Sequence, residues 1–252
     1  MKKNITYIII FIFSMLMENA CFAQTLSNIP LNDITLGNLT LGATLINTLP
    51  AWYIEAQDNV IPDLEKRYHR SSSNQTRYLK VDSFDHNNNL MIETTKEKLQ
   101  LFFEAYSGEK TLVATCNKGI SSVEWSYDNQ YFYYQEVTEA NDDFILSSLH
   151  IVRVENDKLT DHITLMENLS SIDPCWDLFS EKLAFADFHR LFIFYMEENK
   201  LFEIKPIWTD NPEGYPQLLD KLAFSPDSNY LIFRYRPSYW GDRSEYYQVI
   251  FP

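Results

Sequence analysis

The feature of the sequence that most constrains the fold is a short polar turn between apolar segments, residues 224–233. It reads Phe-Ser-Pro-Asp-Ser-Asn-Tyr-Leu-Ile-Phe, so a five-residue polar linker separates an aromatic residue from an apolar strand. Pro, Asp, Ser and Asn each favour tight turns, and such a turn between two apolar runs predicts a β-hairpin. A chain that contains several such hairpins is expected to have an all-β fold.

Related segments occur three more times, beginning at Phe84, Trp125 and Trp176. With the segment at Phe224, the four starts lie 41, 51 and 48 residues apart, and several strand-like runs fill each interval. Repeats of this length with several strands are typical of propeller blades. We therefore predict an all-β fold, a four-blade-like or incomplete β-propeller over residues 77–252. A β-sandwich or curved sheet with similar hairpins is the alternative.

The four segments resemble the blades of TolB-type propellers of exported bacterial proteins. The signature of that family is an aromatic residue, Ser-Pro-Asp-Gly and an apolar strand. Residues 224–227 match it well, residues 125–128 fairly, and the other two segments only in pattern. The resemblance covers residues 78–251 and implies protein–protein scaffolding. The family's separate N-terminal domain is not recognisable, so its envelope partners are not implied. The signature glycine is replaced by Ser228, Asn129 and Asn88, and Asn tolerates left-handed turn geometry.

The first 23 residues have the layout of a secretory signal peptide. Lysines at positions 2 and 3 precede an apolar run from Ile5 to Met17, and small residues at 21 and 23 suit cleavage before Gln24. This predicts export to a bacterial periplasm. An uncleaved membrane anchor is one alternative, but the run falls short of the ~20 apolar residues of a span. Lipidation of Cys21 is another, although Glu18 stands where the lipobox has Leu.

Residues 24–76 are predicted to form an N-terminal segment outside the repeats. Thr40 is a candidate cap for a short helix over 41–48 that Pro50 ends, residues 51–57 read as a strand, and residues 58–76 as a polar loop. The fourth repeat is short of a strand. The strand at 51–57 could therefore complete it, which would close the ring and hide an edge.

Charge and cysteine content limit the partners and the compartment. A formal net charge of −14 argues against nucleic acid and anionic membranes, and it favours a basic protein or a cation. Cys116 and Cys175 remain after signal cleavage, and an even count in an exported protein permits one disulfide. That bond would stabilise the fold by about 4 kcal/mol. Two free buried thiols are the alternative.

No catalytic or cofactor motif is recognisable. Five histidines are scattered without metal-ligand spacing, and neither a Gly-x-Ser-x-Gly elbow nor a phosphate loop is present. The acidic loop at 136–143 lacks the ligand spacing of a calcium loop, which favours a solvated surface loop. We therefore predict no catalytic residues, no metal and no cofactor.

Two loops are rich in the residue types that dominate protein interfaces, namely Tyr, Trp and Arg. One follows Phe233 and the other follows the strand that ends near position 208. The predicted partner-binding residues are Arg234, Tyr235, Arg236, Tyr239, Trp240, Arg243, Trp208 and Tyr215. Packing of Tyr239 and Trp240 back onto the blade is the alternative.

The sequence therefore predicts an exported, non-enzymatic protein-binding module of the bacterial envelope. A periplasmic immunity protein against a secreted toxin is one member of this class that fits the signal peptide, the small size and the acidity. The alternative is a sugar-binding or hydrolytic propeller that uses rim aromatics and acidic residues.

Overall fold

The computed structural model describes residues 35–59, 68–69, 77–94, 99–140, 145–170, 173–188, 190–208, 218–236 and 244–251. The predicted signal peptide at 1–23 and most of the predicted polar loop lie outside these residues. The described chain is almost entirely β-strand with one helix. No helix within these ranges is long and apolar enough to cross a membrane.

The second repeat shows how one blade is built. Its four strands pair antiparallel in sequence order. They are β7 (Ile120–Trp125), β8 (Tyr131–Ala140), β9 (Ile145–Glu155) and β10 (Lys158–Ser170). On β8, Phe132 and Tyr134 pack against the first blade, whereas Tyr131 and Tyr133 pack against the third. Both faces of the strand are buried, which explains its continuous aromatic run.

The other repeats follow the same plan. Blade 1 comprises β3 (Arg77–Asp82), β4 (Asn89–Thr94), β5 (Leu99–Glu104) and β6 (Lys110–Cys116), with the short β2 (Tyr68–His69) beside β3. Blade 3 comprises β11 (Cys175–Trp176), β12 (Lys182–Asp187), β13 (Arg190–Tyr195) and β14 (Lys200–Trp208). Blade 4 comprises β15 (Leu218–Phe224), β16 (Tyr230–Arg236) and β17 (Glu245–Ile250), completed by β1 (Thr35–Leu45).

The blades stack face to face around a shared inner side. In the described part of the chain, separate apolar clusters lie between blades 1 and 2, 2 and 3, and 3 and 4. Trp125, Phe132 and Phe233 are among the fully buried side chains, and each contributes about 2–3 kcal/mol of hydrophobic stabilisation. The outer face of blade 4 is covered by the helix, α1 (Ala51–Asn59). The prediction of an incomplete, four-bladed all-β propeller is confirmed.

The N-terminal strand joins blades 3 and 4 into one sheet. β1 pairs parallel with β14 over nine residues and antiparallel with β17 over three. Ala43 is the point where the two pairings meet, opposite both Trp208 and Val249, and it is fully buried. Gly37 lies opposite Phe202, where a Cβ would approach the ring to 2.8 Å, so a larger residue would have to displace the ring.

Two predictions for the N-terminal segment were wrong. Residues 41–48 do not form a helix, because most of them belong to β1, where Leu41, Ala43 and Leu45 face the core at the period of a strand. Residues 51–57 are not a strand but lie in α1, which begins where the Pro50 carbonyl accepts the amides of Tyr53 and Ile54. An N-terminal strand does complete blade 4, but it is β1.

Candidate binding surface

The four sequence repeats meet at one end of the structure as four equivalent turns. In each turn the first residue's amide donates to the carbonyl of the sixth, at 2.9–3.0 Å, and the fourth residue's amide donates back to the first carbonyl. The first residues are Ser83, Ser126, Asp177 and Ser225. This shared pattern fixes the register of the repeats more firmly than the sequence alone.

A serine and an aspartate hold three of these turns. In blade 2, the Ser126 hydroxyl donates to Asp128 Oδ1 at 2.6 Å and accepts the amide of Tyr131 at 2.9 Å. Asp128 Oδ1 also accepts the amide of Gln130 at 3.0 Å. The equivalent pairs in blades 1 and 4 are Ser83 with Asp85 and Ser225 with Asp227. The Ser-x-Asp part of the repeat is therefore structural.

Blade 3 reaches the same geometry with one residue. Asp177 occupies the serine position, and its Oδ1 accepts the amides of both Glu181 and Lys182, at 2.8 and 2.9 Å. Burial raises the pKa of Asp177, while these amide donors favour its ionised form. One carboxylate thus replaces the Ser–Asp pair.

The fourth residue of every turn has a positive φ, at His86, Asn129, Ser180 and Ser228, with values between 55° and 60°. This is the position of the signature glycine. In blade 1 it is therefore His86, not Asn88, and Phe84 corresponds to Tyr127 rather than to Trp125. The register inferred from sequence for the first repeat was therefore wrong by two residues. The first and second repeats are 43 residues apart rather than 41.

The corrected register brings a set of exposed apolar side chains to equivalent places. Phe84, Tyr127 and Leu178 are the second residues of their turns and are 51%, 41% and 47% exposed. Phe179, the third residue of its turn, is 57% exposed, and Pro226 takes the second position in blade 4. Phe84 and Tyr127 stack with ring centroids 4.8 Å apart.

Hydrogen bonds tie each turn to the next. Asn129 Oδ1 accepts the amide of Phe84 at 2.6 Å, and Ser180 Oγ accepts the amide of Asp128 at 3.0 Å. Lys182 Nζ donates to the carbonyl of Ser228, also at 3.0 Å. The four turns therefore form one connected row rather than four independent loops.

The turns between the third and fourth strands of the blades lie at the same end. In blade 1, for example, the Tyr106 amide donates to Asn88 Oδ1 at 3.1 Å. We call this face the turn end and define it as residues 83–88, 104–110, 126–130, 155–158, 177–182, 196–200 and 225–229. It carries eleven carboxylates and four lysines. An excess of seven negative charges is half of the formal net charge of −14.

A second acidic feature lies on the inner side of the blades. Glu124 of β7 accepts the Tyr133 hydroxyl at 2.8 Å, and Asp173, just before β11, accepts the amide of Leu222 at 3.2 Å. Burial raises the pKa of both carboxyls, and Asp173 adds to the rise at Glu124. Glu124 nevertheless keeps an exposed surface. No three His, Cys, Asp or Glu side chains among the described residues are arranged to hold a metal ion.

Cys116 and Cys175 are free, so the structure does not contain the disulfide that the sequence permitted. Cys116 ends the outer strand of blade 1 and Cys175 lies on the inner strand of blade 3. Burial, reinforced by Glu136, raises the pKa of Cys116 to about 12, and burial raises that of Cys175. Both thiols are therefore protonated near neutral pH.

The predicted partner-binding residues that the structure describes differ in burial and in contacts. Arg234 and Arg236 both bind Asp220, at 2.7–2.8 Å, and stay half-buried. Tyr235 is fully buried and packs edge-on against Tyr247, so its assignment to the binding surface was wrong. Of Trp208 only the backbone is described. Tyr215, Tyr239, Trp240 and Arg243 lie outside the described residues.

The strand ends that carry the two predicted loops do lie side by side. Leu218, which follows one loop, pairs with Arg236, which precedes the other. They belong to the end of blade 4 opposite the turn end. The exposed apolar residues of the turn end were missed, although their signal was present as an apolar residue inside each otherwise polar linker.

No protein-family model matches the chain, and no curated protein matches it. It is similar to solved β-propellers. The propeller domain of the Trilobed protease from Pyrococcus furiosus, described as having an open velcro topology, is 12% identical with a TM-score of 0.43, over 68% of this chain and 56% of that one. A putative TolB from Agrobacterium tumefaciens is 11% identical with a TM-score of 0.39, over 68% and 57%.

A luciferin-regenerating enzyme is 11% identical with a TM-score of 0.38, over 70% of this chain and 62% of that one. The chain thus spans less than two thirds of the length of each of these proteins. Because the TM-scores are below 0.5, the assignment as a protein of four propeller blades rests on the strand pairing and packing described above.

Proposed function

We propose that the protein is an exported, non-enzymatic binding module whose partner is a basic protein. The observation that carries this proposal is the charge of the turn end, where ten carboxylates at the surface outnumber four lysines and the eleventh, Asp177, is buried. A surface with a net negative charge of this kind attracts a partner of opposite charge over long range and speeds the encounter, and salt screens the effect.

The chemistry of the reactive groups supports a binding role over catalysis. The pKa of Cys116 and that of Cys175 are raised, so neither supplies a thiolate near neutral pH. Asp85, Asp128 and Asp227 accept hydrogen bonds that hold their own turns. Within this class, an immunity protein that neutralises a basic secreted toxin fits the predicted signal peptide, the small size and the acidity.

The test uses a partner recovered by pull-down from the periplasm, whose affinity is then measured at low and high salt. Replacing Glu109 and Glu197 at the turn end by Lys should weaken binding about tenfold, because the partner then meets less negative charge. The matched control replaces Glu139 and Glu167, which are also exposed but lie outside the turn end. An equal loss in both double variants, or salt-independent binding, would contradict the proposal.

A hydrolytic or sugar-binding function is a second candidate, favoured by Glu124 and Asp173. They are contributed by neighbouring blades, and Asp173 adds to the raised pKa of Glu124. Such an interaction favours a pair with one protonated and one ionised carboxyl, which glycoside hydrolysis needs. A glycan array with the wild type and Glu124→Gln separates the candidates. Glycan binding or cleavage that Glu124→Gln abolishes, without a protein partner, would favour the second.

A further inference from the structure

We infer that the exposed apolar residues of the turn end form a docking ridge for a partner segment that is both basic and rich in apolar side chains. This inference rests on the proposed function and adds the residues and the chemistry of the contact. The ridge consists of Tyr106, Phe84, Tyr127, Leu178, Phe179 and Pro226. All six belong to turns of the four blades, and each is exposed.

The ridge is a repeated feature of the fold. Phe84, Tyr127, Leu178 and Pro226 stand at the same position of four turns that share one hydrogen-bond pattern. Turn residues at the surface of a soluble protein are usually polar, and neither the Ser–Asp bonds nor the positive φ requires an apolar side chain there. Pro226 suits the turn itself, since proline favours the second position of a tight turn. The turn geometry leaves Phe84, Tyr127 and Leu178 unexplained, and contact with a partner would explain them.

Exposed apolar surface is concentrated at this end. Ten large hydrophobic side chains of the described residues are exposed, and five of them belong to the ridge. Scattered exposed apolar residues are normal in soluble proteins, whereas a contiguous group rimmed by polar residues is typical of an interaction site. The stacked rings of Phe84 and Tyr127 show that the group is contiguous at blades 1 and 2.

The ridge is also held rigidly before any partner arrives. The turn of blade 1 is bound to that of blade 2 through Asn129, and the turn of blade 2 to that of blade 3 through Ser180. Residues that are already ordered lose little conformational entropy on binding, so more of the contact energy remains as affinity. Aromatic anchors of this kind dominate interface energetics.

The surrounding charge selects the occupant. Carboxylates adjoin the ridge in every blade, including Asp85, Asp128, Glu181 and Asp227. They repel anionic lipid and nucleic acid and attract lysine and arginine. A protein segment that alternates basic and apolar residues meets both features, since its charges face the carboxylates while its apolar side chains cover the ridge.

The inference is tested with two synthetic probes on the full-length mature chain, a Lys-Leu alternating peptide and a Lys-Ser alternating peptide of equal length and charge. We expect the wild type to bind the Lys-Leu peptide at least about tenfold more tightly, because only that peptide covers apolar surface. Phe84→Ser with Tyr127→Ser should remove that preference and leave the affinity for the Lys-Ser peptide unchanged. Ile145→Ser is the control, since Ile145 is 55% exposed at the opposite end of blade 2.

Leu178→Ser with Phe179→Ser provides a second ridge variant that does not disturb the ring stack, and a melting curve of each variant confirms that it is folded. If the ridge variants still prefer the Lys-Leu peptide, the inference of a docking ridge is wrong. In that case, salt-dependent binding of both peptides would leave the proposed acidic binding function intact. If the wild type binds neither peptide, both the proposed acidic binding function and the docking ridge are contradicted.

Discussion

Blades 3 and 4 differ from blades 1 and 2 in how their outer edges end. β1 lies between β14 and β17, so the outer edges of blades 3 and 4 are both paired within one eight-stranded sheet. In blades 1 and 2, the outermost strands of the described sheets are β6 and β10. β10 pairs with β9 through three register shifts, and β6 pairs with β5 through one. Such irregularities protect a free edge from pairing with another chain.

The two halves of the molecule also differ in how far apart in sequence their paired strands lie. Blades 1 and 2 are local meanders, in which every strand pairs with a neighbour in sequence. Blades 3 and 4 depend on a strand from the other end of the chain, since Ala43 pairs with Val249. Long-range pairing of this kind costs more chain entropy to form. We therefore expect blades 3 and 4 to be the half that a change in β1 disrupts.

The largest expected effect is at the meeting point of the two pairings. Ala43→Asp places a carboxylate at a fully buried position between β14 and β17 and should cost roughly 4 kcal/mol or more of the free energy of unfolding. Gly42→Asp is the matched control, because Gly42 is exposed and a Cβ there meets no atom within 4 Å. Urea unfolding of both variants makes the comparison.

If the two variants lost equal stability, burial at Ala43 would not be the cause, and β1 would not fasten the two blades. Hydrogen exchange adds a sharper test, because protection should fall in blades 3 and 4 and persist in blades 1 and 2. Uniform loss of protection would show instead that all four blades unfold as one unit.

The part of the fold that sequence predicted well is the part set by local chemistry. Ser126 and Asp128 hold their turn through bonds within six residues, so their pattern predicts the turn wherever it occurs. The N-terminal segment is different. Leu41 and Leu45 fit both the i, i+4 spacing of a helix and the alternation of a strand, and pairing with β14 and β17 decides between them.

The binding surface was harder to predict for a similar reason. Tyr235 lies between two arginines in sequence, but alternate residues of a strand face opposite sides, so Tyr235 packs in the core while Arg234 and Arg236 bind Asp220. Phe84 was aligned with the buried Trp125, which concealed its exposure. Only the hydrogen bonds of the turns reveal that it corresponds to Tyr127.

A change of intermediate size in the free energy of unfolding is expected when the pH is lowered, because of a histidine at the interface of blades 1 and 2. His150 stacks on Tyr134 at 4.5 Å and lies near Glu136 and His162, and burial lowers its pKa to about 4. In the unfolded chain its pKa is about 6.5, so as pH falls below 6.5 the unfolded state binds the proton first. Stability should therefore fall between pH 6.5 and 4, by on the order of 2–3 kcal/mol from His150.

The measurement compares the pH slope of the unfolding free energy in the wild type and in His150→Gln, which cannot titrate. Carboxyls with raised pKa values, such as Glu124 and Asp173, act in the opposite direction at low pH and are common to both proteins. Only the difference between the slopes therefore reports on His150. His86→Gln, which alters an exposed imidazole, is the control. Identical slopes in the wild type and His150→Gln would rule out this source of acid sensitivity.

The smallest expected effect concerns the turn of blade 1. His86 has a φ of 59° and an exposed side chain, at the position where the resembling family has glycine. His86→Gly should raise the free energy of unfolding by up to about 1 kcal/mol, because glycine adopts this conformation without the steric cost of a Cβ. His86→Ala keeps that cost and should not stabilise the protein, which separates backbone strain from loss of the imidazole. If glycine and alanine have the same effect on the urea midpoint, the left-handed conformation at His86 costs little free energy of unfolding.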